Sequence, residues 1–369
     1  MFYALASIPL IDVLREGHPK ALQTWYADDS AANGELHQLR AWMEEGLAVK
    51  GPPRGYFPEP TKSKLLVRPE DTEVAEKVFA GTGVEVVTDC RFLGGFLGTE
   101  EGVRERVDEK VRGWVHKVQR LAEVARVDPQ AAYTVYSKAT QHEWTYVQRV
   151  VPDCAQAFAP LELALREQLI PAFFGWPEGE GFGPKGTPLS TEHSQQWRDL
   201  FALPLRLGGL GIADPTTTAA ASFEASKQSV KLLVEAMREG TGRLELEKHE
   251  ENVQKAREAA KEMRRKLAGE EWVRLRGELV EVSEGTVRSL DRVIQYHLSC
   301  VLHTSPNAHS RFVLNRDEFR DHLAYRYNLG GVGLAARCPC GESLTMQHSQ
   351  CCKKAALEDC SSKLKACFQ

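Results

Sequence analysis

An α+β fold is what this sequence predicts: a small sheet-bearing N-terminal part, then a mainly α-helical remainder and a short cysteine-rich tail. Three observations carry it. Short strand-like runs alternate with helical segments and Gly/Pro turns over about the first hundred residues. After Thr99 the apolar residues switch to helical spacing. Six of the nine cysteines crowd between Cys338 and Cys367.

Taken in order, Phe2 to Leu14 reads as one apolar helix, interrupted at Pro9 and closed by Gly17, with His18 and Pro19 following. Strand-like runs come at Ala21–Trp25, Lys64–Arg68, Val84–Val87 and Phe92–Leu97, with a helix over Gly34–Glu45 between the first two. Val103, Val107, Val111, Val115, Val118, Leu121, Ala122 and Ala125 then recur at helical spacing among charged residues, which predicts one buried face and one solvated face. Asp128 and Pro129 predict an N-cap and first helical position, opening a helix through Tyr133, Tyr136, Trp144 and Val147 that stops at Pro152. Another helix covers about Pro160 to Ile170, and Trp176 to Thr191, rich in Gly and Pro, reads as a loop. Leu203 to Asp214 carries Gly208, Gly209 and Gly211, and Asp214-Pro215 starts a helix running to about Arg238. The charged run Leu244 to Leu267 predicts a solvated or linker helix, and a mixed segment from Ser289 leads into the tail.

With 369 residues, 42% of them hydrophobic and 27% charged, the chain has ordinary globular composition and can bury a core in two or three domains. A net charge of −4 and pI near 6.3 argue against a protein held to nucleic acid by its overall field, and leave room for a local basic cleft. No window is apolar enough to span a bilayer, and Met1 to Leu14 lacks the features of a signal peptide. The expectation is an intracellular protein, nuclear or cytoplasmic, not secreted and not in a membrane. Cysteines clustered at one end suggest metal binding in a reducing compartment more than a disulfide framework.

The chemistry centres on Tyr26-Ala27-Asp28-Asp29, which follows a short apolar run and precedes small polar residues. Adjacent acids at a strand-to-turn junction place both carboxylates at the tip of a tight hairpin. Nucleotidyl transfer uses such carboxylates to hold two Mg²⁺ or Mn²⁺ ions roughly 4 Å apart, one acid bridging the ions and its neighbour supporting them. The plainer reading is an Asp-Asp turn that caps the helix beginning near Asn33.

Further landmarks follow in order: Gly55-Tyr56-Phe57-Pro58, then Lys62-Ser63 before the strand Lys64–Arg68, then Arg91-Phe92-Leu93-Gly94-Gly95-Phe96-Leu97-Gly98, and Leu203 to Ile212. Together with Tyr26 to Asp29 this ordered set resembles the reverse transcriptases of retrotransposons. The resemblance implies RNA-directed DNA synthesis on an RNA template and DNA primer with dNTPs. Asp28 and Asp29 would be metal ligands and catalytic residues, and Lys62 an acid toward the leaving pyrophosphate. Tyr26, Arg91, Phe92, Gly94 and Gly95 would contact nucleic acid, the last four in a primer-grip hairpin. Lys62 also reads as an ordinary solvated lysine, and both glycine pairs as simple turns. Neither glycine run has the spacing of a P-loop or dinucleotide fingerprint.

In domain terms the resemblance gives 1–98 as the C-terminal part of a polymerase palm, 99–152 as a helical thumb, 153–295 as a helical connection and 296–369 as the terminal segment. It also implies that the fingers and the first metal-binding Asp lie upstream of Met1. Asp12 and Glu16, on the opening helix, sit too close to Tyr26 to be that missing partner, since a strand, crossover and second strand take about 30 residues. The expectation is therefore a polymerase fragment inactive on its own, with a non-enzymatic nucleic-acid-binding or decayed mobile-element remnant as the alternative.

In the tail, Cys338, Cys340, His348 and Cys352 offer thiolate and imidazole ligands suited to tetrahedral Zn²⁺. The gap between the first two is tighter than usual, Cys351 competes as a ligand, and a cluster of free thiols is the other reading. Lys353 and Lys354 would suit a phosphate contact beside a folded knuckle.

Overall fold

Contacts divide the chain, seen in a computed structural model, into a unit over 1–106 and a unit over 107–369. The structure describes residues 2–177, 191–239, 244–307, 309, 312–329, 337, 338, 340–342, 344, 348 and 352, apart from the side chains of 2–4, 191 and 192. Most of the loop expected at Trp176–Thr191, together with Cys351, Lys353, Lys354, Cys360 and Cys367, lies outside them. The described residues are mostly helical, with three separate two-stranded sheets, which agrees with an α+β class.

The first unit opens with α1 (Phe2–Gly17), which passes through Pro9 without the expected interruption. A proline inside a helix removes one hydrogen bond and costs about 3 kcal/mol. Leu10 and Leu14, each 1% exposed, offset that cost in a core with Ala21, Trp42 and Leu47. β1 (Leu22–Tyr26) and β2 (Asp29–Asn33) form a hairpin. α2 (Leu36–Ala41) continues through π-helical turns at Trp42–Leu47 into α3 (Ala48–Lys50), longer than the expected Gly34–Glu45 helix.

β3 (Lys64–Leu66) and β4 (Glu85–Val87) pair in parallel, joined through α4 (Thr72–Val78), a helix with no counterpart in the sequence reading. Ala75 within it and Phe79 at its C-cap close a second small core on Leu65. The run Phe92–Leu97 is no single strand: it holds the turn between β5 (Asp89–Phe92) and β6 (Gly95–Gly98).

The helix α5 (Glu100–Val127) crosses the division between the units. Val107, Val111, Val118, Leu121, Ala122 and Ala125 are buried, as their spacing predicts. Asp128 caps α6 (Pro129–Lys138), its carboxylate accepting from the Ala131 N–H at 3.0 Å. The single helix expected through Val147 instead breaks at Ala139, and α7 (Thr145–Val150) starts anew. Polar side chains take over the ladder there: Gln141 donates to the Ser137 carbonyl at 2.7 Å, and Thr140 to that of Val135.

α8 (Ala159–Ala164) runs through a π-helical stretch, Leu165–Leu169, into α9 (Ile170–Phe174), which ends at left-handed Gly175. After α10 (Thr191–Ala202), Asp214 caps α11 (Pro215–Ser229). The helix expected to reach Arg238 breaks at Val230 into α11 and α12 (Lys231–Glu239), the Gln228 and Ser229 carbonyls being taken by the Asn252 amide at 3.0 and 3.1 Å. The charged run is indeed helical, but α13 (Leu246–Val282) extends well beyond Leu267 and buries only Leu275 and Leu279. α14 (Glu284–Gln295), α15 (Cys300–His303) and α16 (Arg316–Tyr327) follow.

The second unit is organised around the glycine-rich segment 203–212. Gly208 and Gly211 have φ of 85° and 68°, and a Cβ on Gly209 would lie 1.9 Å from the Leu203 carbonyl oxygen. Side chains from distant helices receive its carbonyls: Tyr133 Oη donates to Leu210 at 2.7 Å, Tyr327 Oη to Gly208 at 3.0 Å and Arg198 to Ile212 at 2.8 Å. Arg326, 1% exposed, donates to the carbonyls of Leu205, Gly208, Gly209 and Leu298 and to Ser299 Oγ, at 3.1 to 3.3 Å. A buried guanidinium is thus solvated by carbonyl dipoles, with its charge left without a carboxylate partner among the described residues.

Candidate functional site

Tyr26 to Asp29 forms a tight turn. β1 and β2 pair from Leu22↔Asn33 to Tyr26↔Asp29, which leaves Ala27 and Asp28 as the two turn residues. Ala27 has φ 54°, a conformation such hairpins demand and glycine usually supplies, so alanine there carries about 1 kcal/mol of strain. Asp28 and Asp29 are exposed, and Tyr26 is 66% exposed. Among the described residues neither carboxylate has a hydrogen bond or ion pair.

The other face of this hairpin is buttressed. Trp25 and Ala32 pack on the core of Leu10, Leu14 and Trp42, and the Gln23 amide donates to the Ile11 carbonyl at 2.8 Å. Tyr56 meets Trp25 edge-on at 5.2 Å between ring centroids, and its hydroxyl hydrogen-bonds that of Ser30 at 2.8 Å. In sequence Tyr56 is legible only as part of a Gly/Pro turn, because Ser30 lies 26 residues away.

Lys62 ends a short 3-10 turn, Pro60–Lys62, with its side chain exposed; no hydrogen bond or ion pair joins it to Asp28 or Asp29. In the second hairpin Arg91 pairs with Phe96 and Phe92 with Gly95, leaving Leu93 and Gly94 as the turn, at φ 46° and 83°. Leu93 and Gly94 both hold positive φ, whereas Gly95 is a buried strand residue. Arg91, Phe92, Leu93 and Leu97 are exposed, so a cation and apolar side chains share the ribbon.

The tail residues converge. Cys338 and Cys340 come from a turn in which the Gly341 N–H donates to the Cys338 carbonyl at 2.8 Å and the Cys338 N–H to the Glu342 carbonyl at 2.9 Å. The Cys352 N–H donates to the His348 carbonyl at 2.9 Å, which brings these two ligands together. The Cys338 and Cys352 sulfurs lie 3.7 Å apart, Cys340 Sγ lies 3.1 Å from His348 Nε2, and all four ligand atoms fall within 4.8 Å of one another. Tetrahedral zinc with Zn–S bonds of about 2.3 Å separates sulfurs by about 3.8 Å, so this set could hold a metal such as zinc. The Cys340 backbone N–H favours a Cys338 thiolate, but desolvation and the crowded Cys340 and Cys352 sulfurs hold the thiol above its ordinary value. A bound cation relieves that conflict.

Among the described residues, this is the set of three or more His, Cys, Asp or Glu side chains placed to share one ion, and Asp28 and Asp29 belong to no such set. Two exposed carboxylates alone do not fit the Mg²⁺ or Mn²⁺ pair that the resemblance implies. No helix among the described residues is long and apolar enough to cross a membrane. No protein-family model, curated protein or solved structure matches the chain.

Proposed function

We propose that this chain is the palm-hairpin and helical part of a reverse-transcriptase-type polymerase that holds an RNA template and DNA primer, with Asp28 and Asp29 forming one side of a nucleotidyl-transfer site. The observation that carries the reading is a pair of exposed, unpaired carboxylates at the tip of a turn whose far face is anchored by Trp25, Ser30 and Tyr56. Catalysis by two-metal transfer depends on fixed metal geometry, and an acid pair with no third ligand holds ions from one side only. This chain therefore binds primer–template without extending it.

The test is a labelled RNA–DNA primer–template followed by anisotropy across a salt series, beside primer extension with dNTPs and Mg²⁺ or Mn²⁺. Binding that weakens steeply with salt and yields no product is the expected result. Absence of binding at low salt overturns the proposal, and extension abolished by Asp28→Asn overturns the incomplete site. A second reading, non-enzymatic nucleic-acid binding, is favoured by one contrast: the Cys/His ligand set is complete while the acid pair is not.

A further inference from the structure

The long helix α13 separates its cations by environment. Lys248 pairs with Glu245 at 2.5 Å, Lys255 with Glu251 at 3.4 Å and Lys266 with Glu270 at 3.9 Å, and these lysines share one side of the helix. Arg257, Lys261, Arg264 and Arg265 stand at i, i+4, i+7 and i+8, within an arc of about 100° on another side. All four are exposed, and none has a carboxylate partner among the described residues. Arg264 donates only to the Ala260 carbonyl of its own helix, at 3.2 Å.

Such an arrangement works against the helix that carries it. Like charges at i, i+3 and i, i+4 repel, and Glu258 and Glu262 lie beside the stripe without pairing to it. No element among the described residues covers this stretch either: residues 261–267 are exposed around the whole circumference, with Met263 at 55% and Leu267 at 53%. In a chain of net charge −4, four unneutralised cations on one helical stripe form a local field opposite in sign to the whole.

We propose that the Arg257, Lys261, Arg264 and Arg265 stripe of α13 is a phosphate-backbone contact for nucleic acid, separate from the Asp28–Asp29 hairpin. The stripe is about 12 Å long, enough for two or three successive phosphates. Exposed arginines and lysines at this spacing give sequence-independent contacts that position a strand without reading it. The nucleic-acid class of the ligand rests on the proposed function; the location does not.

Two charge-matched variants test it: Arg257→Gln/Lys261→Gln/Arg265→Gln on the stripe, and Lys248→Gln/Lys255→Gln/Lys266→Gln on the paired side. Each lowers net charge by the same amount, and circular dichroism confirms that each is folded. The probe is a labelled single-stranded RNA of mixed sequence, its affinity measured as a function of salt. The stripe variant is expected to bind at least about tenfold more weakly, with a log–log salt slope shallower by about 2, while the paired-side variant matches wild type. Equal losses in both variants, or none in the stripe variant while wild type binds, overturn the stripe and leave the proposed function standing. Failure of wild type to bind this RNA at any salt overturns the stripe, and the proposed function falls with it only if the primer–template also fails to bind at low salt. Loss of binding to anionic phosphatidylserine vesicles in the stripe variant, with RNA binding unchanged, assigns the surface to lipid and overturns the proposal.

Discussion

The two units hold their chemistry in opposite ways. In the first, polar groups with chemical potential stand in the open: Asp28, Asp29, Lys62 and Arg91 are exposed in or beside turns. In the second, polar groups are drawn inward, where Arg198 binds Glu162 through two 2.6 Å hydrogen bonds and Arg326 gathers carbonyls around the glycine segment. The contrast is that the first unit leaves these side chains without a hydrogen bond or ion pair among the described residues, while the second uses Arg198 and Arg326 to fix its own backbone.

The sharpest test of the contrast is metal. Purified under reducing conditions, the protein is expected to contain one zinc per chain, lost in Cys338→Ser and in His348→Ala. Structural zinc contributes about 10 kcal/mol or more to the segment that it organises, so chelation should open residues around 337–352 to proteolysis. Zinc-free protein with that segment protected breaks the assignment.

Arg326→Met comes next. It leaves the carbonyls of Leu205, Gly208, Gly209 and Leu298 without their shared donor and should cost about 3 to 5 kcal/mol, read by denaturant unfolding. A cost under about 1 kcal/mol would mean that the inward polar network is not what holds the second unit.

A smaller effect is expected with acid. His322 has a buried Nε2 without a partner, and burial together with the charge of Arg326 pushes its imidazole down to about 4. Because the unfolded chain takes up this proton first, stability is full above the ordinary histidine value near 6.5. It falls by about 3 kcal/mol as pH drops toward 4, then stays level. His322→Leu should flatten that limb, and an unchanged pH profile refutes the mechanism. The least effect belongs to the displayed acids: Asp28→Asn should alter stability by less than about 0.5 kcal/mol, since no partner is lost. A large loss would show that the hairpin tip is structural.

What could be read from the sequence follows the same line. The Tyr26–Asp29 turn, the caps at Asp128 and Asp214 and the convergence of Cys338, Cys340, His348 and Cys352 depend on residues close in the chain, where turn chemistry, capping and ligand spacing act directly. The breaks at Ala139 and Val230 were hidden in uninterrupted helical patterns, because they depend on side chains competing for carbonyls, one of them arriving from Asn252. Tyr56 under the hairpin and Arg326 at the glycine segment were likewise invisible, since their partners come from elsewhere in the chain. The resemblance to a polymerase supplied roles for exposed residues; it had nothing to say about what holds them.

The reach of Arg326 also sets an order of assembly. Its bonds to Gly208 and Gly209 span 118 and 117 residues, and Tyr327 reaches back 119 to the same loop. A chain emerging from the ribosome can close the Tyr26 and Phe92 hairpins as soon as they appear, but the glycine segment must wait for α16 before its carbonyls find their donors. Through that interval the buried ring of Phe201 has no Tyr327 to pack against. A translation pause between about residues 212 and 316 would therefore lengthen the time the nascent second unit is vulnerable to aggregation, while the hairpins of the first would be untouched.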